Sequence, residues 1–422
     1  MMTRRYIAVT VATVAATLTG VTLAAGGEDT RFQERTLAEV PRGIDVAHGI
    51  AFSPDGLHVA YVAARGDEFV PVIDAKAFDA QSYVHGARWS ADGRVAFAVV
   101  RPAEKRVQVS WLLLDGKRAP GTEGVDLPEW SPDGRRLAFV ADPECKIDAD
   151  RSRPGPFHLF IDGKKGAKWR GVAQLTWSRD SAQLLAVAEG ERGKYCVLLD
   201  GKPLAQGARY DGPAFSPDGS RVAYGCELVK RGALASDWTA IKWYVACGSD
   251  RLGLEFDNAG SPVFSPDGRH IAFKAERAGR VGISVDGKEP LGSWSFVSAP
   301  AFSPDGAHMA FAASSDCNVA PGYRVTTLPG AGLVTGGTWQ VVMDGTALEA
   351  KFDAVDALTY SPDSKRLAFR TRRAKRWRMH CDARESEEYD FVGPPVFSQD
   401  GKRIGFGALR GREFAWKVMV VE

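Results

Sequence analysis

Two histidines stand at matching places in consecutive stretches of this 422-residue chain: His48-Gly49 and His85-Gly86 each begin five residues before a serine that opens an Asp-Gly turn. An imidazole can ligate a metal or move a proton near neutral pH. Carboxylates occupy the corresponding place elsewhere, at Asp126, Asp211 and Asp356, with Ser298 in a further copy. Two imidazoles and two carboxylates are a donor set that transition metals accept. His48, His85, Asp126 and Asp356 are therefore the candidate ligand-binding residues, with no particular metal specified. The plainer reading, favoured here, is that each aspartate caps a loop and each imidazole packs beside its glycine.

Other chemistry is sparse. No Gly-x-Ser-x-Gly elbow, His-Glu-x-x-His helix, phosphate-binding glycine loop or Cys-x-x-Cys pair occurs, so no catalytic residue is assigned and no cofactor is expected. Asp148-Ala149-Asp150-Arg151-Ser152 begins like a calcium loop, but Arg153 stands where glycine is needed and no glutamate closes it. A basic run from Arg370 to Arg378 is followed by Asp382, Glu385, Glu387, Glu388 and Asp390, which are placed to neutralise it. Within it Arg376, Arg378 and His380 alternate with Trp377 and Met379, as in a half-buried strand.

The elements that must position these residues are set by a phrase, Phe52-Ser53-Pro54-Asp55-Gly56, that returns around Ser90, Ser131, Ser178, Ser216, Ser265, Ser303, Ser361 and Ser398. Serine accepts a local N–H, proline presets φ, and glycine supplies the positive φ that closes a tight turn between antiparallel strands. Arg179 with Ser181 replaces Pro and Gly in the fourth copy, which is expected to be the least regular turn, and Ser364 replaces Gly in the eighth. A second phrase, Asp-Gly between apolar runs, recurs at Asp115, Asp162, Asp200, Asp286 and Asp344 as a further hairpin signal. Each unit thus reads as four antiparallel strands, named A to D outward, with the serine turn joining A to B and Asp-Gly joining C to D.

Repeats of this kind at about 40–45 residues describe a β-propeller, here all-β, a single domain over residues 26–422, with eight or nine blades. Nine phrases predict nine blades. Ser53 and Ser90 are 37 residues apart, enough for one blade with minimal loops. On its ninefold Ser-Pro-Asp-Gly phrase the chain resembles the TolB-like, WD-repeat-like propeller family. Similarity to oligogalacturonate lyases, which share this repeat class, implies a metal site in the central channel. It would make the alternative function a metal-dependent polysaccharide lyase or glycosidase acting at the channel mouth.

Residues 1–25 read as a signal peptide: Arg4-Arg5, an apolar run from Ile7 to Leu23, and Ala24-Ala25 for cleavage. The expected location is periplasmic or extracellular, with no membrane span after signal removal. Cleavage takes the formal charge from +2 to zero, since residues 1–25 hold two arginines and no acids. A balanced charge argues against a nucleic-acid partner. The six cysteines permit disulfides in an exported chain without dictating them.

Three long insertions, Asp142–Pro156, Glu227–Asp237 and Ser314–Gly337, all fall between strands B and C. In an antiparallel blade those loops lie at one end, so one face of the disc is elaborated and the other plain. The leading functional reading is an exported, non-catalytic, monomeric propeller that binds a protein or cell-envelope component through its B–C-loop face. Finally, the ninth unit has strands A to C only, and Arg35–Val40 alternates like an outer strand, so residues 32–40 are expected to close the ring against 414–421. Phe302 and Trp130 are expected to be buried between blades, and Asp305 and Asp133 to bond turn backbone.

Overall fold

The computed structural model describes residues 29–102, 108–119, 125–142, 157–190, 194–231, 238–319 and 334–421. Nine sheets follow one another along these residues, each running A-B-C-D with antiparallel neighbours. In blades 2, 7 and 9 strand A is split in two, for example Tyr83–Val84 and Arg88–Trp89. One 3-10 turn, Thr30–Phe32, is the only helical element among the described residues, and none of their helices is long and apolar enough to cross a membrane. Residues 1–25, expected to be a signal peptide, and Cys145 lie outside the described residues. The other five cysteines are free thiols.

The ring closes as the strand count requires. Arg35–Glu39 is the outer strand of blade 9, antiparallel to Glu413–Val420, with Arg35 opposite Trp416 and Ala38 opposite Phe414. Phe414 and Ala38 then pack with Tyr61 and Val72 of blade 1, so the last blade and the first share one apolar cluster. Every other boundary has its own cluster: Phe97 and Val62 join blades 1 and 2, Leu184 and Leu159 blades 3 and 4, and Phe311 and Ile283 blades 6 and 7. Because each blade is apolar on both faces, burial is complete only when the circle is.

Serine turns repeat one hydrogen-bond scheme. The Ser303 hydroxyl donates to Asp305 and accepts from His308 N–H (2.9 Å), while Asp305 accepts from Ala307 N–H at 3.0 Å. Asp133 does the same with Arg135 N–H (3.1 Å). The Ser303 hydroxyl and the Ala307 N–H hold the Asp305 carboxyl below the usual carboxylate range.

Two expectations are corrected. The fourth turn is as regular as the rest: Ser181 takes φ +64°, donates its N–H to Ser178 O at 2.9 Å, and its hydroxyl accepts the Asp133 N–H of the preceding blade at 3.0 Å. Ser364, also at φ +64°, accepts Asp305 N–H in the same way. Serine there bears mild left-handed strain and gains a bond between blades that glycine cannot make. Trp130 is buried, but Phe302 only half so, on the rim of the blade 6–7 cluster, so its truncation costs less than a full core deletion.

Candidate functional site

Strand A lines the axis, and its kink sets the geometry of the channel mouth. Most A strands lose register four or five residues before the turn serine, where Gly49, Gln174, Gly212, Ser261 and Ala357 take positive φ. At Gly49 the blades touch backbone to backbone: a Cβ there would lie 2.7 Å from Gly86 Cα. Both His-Gly pairs are therefore fixed by close approach of blades 1 and 2.

This contact brings His48 and His85 into one aromatic cluster. His48 meets Phe69 at 5.6 Å and Tyr83 at 6.1 Å between ring centroids, and Tyr83 meets His85 edge-on at 5.0 Å. Burial pushes the His48 imidazole below its ordinary pKa, and nearby His85 adds to the shift. The Asp356 carboxylate is elsewhere. Asp356 is held by Arg370, whose Nη2 lies 3.0 Å from Oδ2 and which also donates to Val392 O. Blade 9, with Gly393 at the equivalent position, separates Asp356 from His48. Asp126 pairs with Val140 in its sheet, and its side chain lies outside the described residues. Among the described residues no three His, Cys, Asp or Glu side chains stand close enough to hold a metal.

A second polar group lies at the channel wall. Gln174 of blade 4 donates to Asp211 of blade 5 at 2.8 Å and accepts Gly212 N–H at 2.9 Å. Asp211 in turn accepts Ser261 N–H of blade 6 at 3.1 Å. Burial pushes the Asp211 carboxyl up to about 6 despite these bonds. Behind it sits Lys274, fully buried, its Nζ without a hydrogen-bond partner and 5.1 Å from the Phe296 ring. Lys274 and Arg370 occupy the same place in strand B of their blades. Arg370 is opposite Asp356, whereas Lys274 is opposite Gly260 and has no acid in its own blade to meet. Aligning the repeats exposes both as basic residues where other copies carry Val62, Val140 or Val187.

The two faces of the disc differ. On the turn face the Asp-Gly aspartates reach back to strand B: Asp286 accepts Ile271 N–H at 2.9 Å and pairs with His270 at 2.8 Å, and Asp344 does so with Met309 and His308. The hydrogen bond to Asp344 raises the His308 pKa. A basic residue after several turns covers the next blade's aromatic, as Arg94 does over Trp130 at 4.8 Å and Arg136 over Trp177 at 4.6 Å, and Trp177 Nε1 donates back to Glu129 O. Here side chains are consumed by the ring itself. On the opposite face, strands B and C of blade 5 extend to ten residues each, Val222–Arg231 and Trp238–Cys247, and blade 7 raises a short hairpin, Asn318–Val319 with Val334–Thr335. Asp316 anchors its base by accepting Thr338 N–H and Oγ1–H at 2.6 and 2.9 Å. The tips of all three insertions, including nearly all of Asp142–Pro156, lie outside the described residues.

Solved structures to which the chain is similar include β-propellers. No protein-family model and no curated protein matches it. Among solved structures it is similar to the β-propeller domain of the Trilobed protease from Pyrococcus furiosus, at 14% identity and TM-score 0.42, covering 72% of this chain and 94% of that one. It is also similar to the Dos1 propeller, at 8% identity and TM-score 0.43 over 92% and 95% of the two chains. TolB from Acinetobacter baumannii is similar at 15% identity and TM-score 0.33, over 78% of each. Likeness at this level carries nothing about ligand or activity.

Proposed function

We propose that the protein is an exported, non-catalytic binding module that works as a monomer in the periplasm or outside the cell, with residues 1–25 as its signal peptide. Its partner is a protein or another component of the cell envelope, engaged through the B–C-loop face, and neither nucleic acid nor a membrane span is involved. The observation that carries this reading is the asymmetry of the disc. One face spends its charged and aromatic side chains on the ring, while extended strands in blade 5 and an anchored hairpin in blade 7 rise from the other. Loops held by a rigid scaffold are where recognition is placed. His48 and His85, with Asp126 and Asp356, are proposed as the contacts for whatever part of the ligand enters the channel mouth.

The blade 7 hairpin offers a clean test. Val319 lies opposite Val334, so residues 320–333 can be replaced by Asn-Gly, a two-residue turn suited to that register. The shortened protein should keep its melting temperature and lose its main species in capture from envelope extract. Equal recovery of every species by both proteins would remove the loop-face reading.

A further inference from the structure

A cleft on the loop face, where blade 8 meets blade 7, has no role in the account so far. Arg373 ends strand B of blade 8 (Leu367–Arg373) and Arg376 opens strand C (Arg376–Cys381). The two residues between them, Ala374 and Lys375, take φ +49° and +68°, a tight turn that sets both guanidinium groups at the hairpin tip. Below them the His380 ring stacks on Phe369 (5.3 Å, 2°) and meets Phe352 edge-on at 5.3 Å. Thr371 Oγ1 lies 2.7 Å from His380 Nε2. Phe352 exchanges backbone bonds with Trp339, which begins strand C of blade 7 just after the insertion. The space enclosed is about 120 Å³, against about 10–15 Å³ for one water.

Its charges are unequal in how far they are committed. Three guanidinium groups, of Arg373, Arg376 and Arg378, line the cleft with two carboxylates, Glu385 and Glu388. Arg378 is bound by both glutamates, at 2.7 and 2.8 Å, and Arg376 by Asp390 and Glu388 O. Arg373 donates to Lys351 O at 2.7 Å and lies over the Phe352 ring at 5.2 Å. A guanidinium has five N–H donors in a planar fork that matches a carboxylate or phosphate, so Arg373 keeps most of its capacity. Burial pushes His380 down to about 4, which leaves a neutral floor and gives the arginines the task of neutralising an anion.

We propose that this cleft binds a small oxyanion, the carboxylate or phosphate group of a ligand, with Arg373 as principal donor, Arg376 beside it and Thr371 at the floor. The space admits such a group, and the donors that Arg373 keeps favour an anion over a cation. The proposal deepens the loop-face reading by naming a ligand chemistry for that face, and rests on it for the larger molecule that would carry the group.

Inorganic phosphate is the probe. In the full chain, millimolar phosphate should raise the melting temperature saturably while chloride at equal ionic strength does not. It should also shift the His380 imidazole NMR signals, a readout that needs no variant. Arg373→Gln with Arg376→Gln should weaken the response about tenfold or more, from lost charge-assisted hydrogen bonds. Arg269→Gln on the turn face should leave it unchanged. Sedimentation with phosphatidylglycerol vesicles, competed by free phosphate, would assign the group to a lipid headgroup, and failure to sediment would assign it to a soluble molecule. A full chain unmoved by phosphate in both readouts, or a double variant that responds like its parent, overturns the proposal. Replacement of residues 320–333 separates the two readings: phosphate binding retained with partner capture undiminished removes the loops and keeps the cleft.

Discussion

Removal of residues 26–40 should unseat the ring, lowering stability by roughly 4–7 kcal/mol and promoting aggregation. That figure is the burial of Phe32 and Val40 at about 1.5–3 kcal/mol each, with about 0.8 kcal/mol for the Ala38 methyl. All three are buried against blade 9 or blade 1. The deletion also frees Trp416 Nε1, which donates to Arg31 O at 2.7 Å, and uncovers the edge of Glu413–Val420. An exposed apolar strand edge is a template for association. Thermal melts and light scattering of the truncated and mature chains check this. Coincident melts would show that the outer strand is decoration.

Replacing Lys274 with Met should stabilise the protein by about 1–3 kcal/mol at pH 7, against the usual direction of core substitutions. Burial pushes the Lys274 amine down to about 8, with Asp211 partly opposing. Unfolded, a lysine keeps its proton to about 10.4. Below about 8 the folded chain therefore bears the full penalty of a buried charge, and between about 8 and 10.4 that penalty falls away as the amine deprotonates. The variant's advantage should be largest at neutral pH and shrink by pH 10. Loss of the Asp211 attraction does not reverse the sign, because no hydrogen bond joins the two groups and Asp211 is satisfied by Gln174 and Ser261. A variant that melts below its parent at pH 7 would show that the amine has a partner worth more than its desolvation.

Much of this was legible because the repeat encodes local chemistry. Ser, Asp and Gly at fixed offsets specify the turns, and their number specifies the blades. The missing fourth strand of the last unit pointed to Arg35–Glu39 as its replacement. What stayed hidden depends on contacts between units. The fourth turn read as the least regular because the N–H group that Ser181 accepts belongs to the preceding blade, as does the one that Ser364 accepts. Phe302 shares the place of Trp130 in the phrase, yet burial there depends on the neighbouring blade. At the channel mouth the shared position of His48, His85 and Asp356 was readable, but not that Arg370 would engage the carboxylate from strand B. Lys274 was visible as a break in an apolar strand, and only the fold shows that its own blade offers it glycine.

Hydrogen–deuterium exchange of the protein alone and bound to its captured envelope partner measures directly which face meets the partner. Protection should appear in the blade 5 and blade 7 insertions and at the Arg373–Arg376 hairpin, with the serine turns unchanged. Protection confined to the serine and Asp-Gly turns would place the partner on the other face and contradict the account.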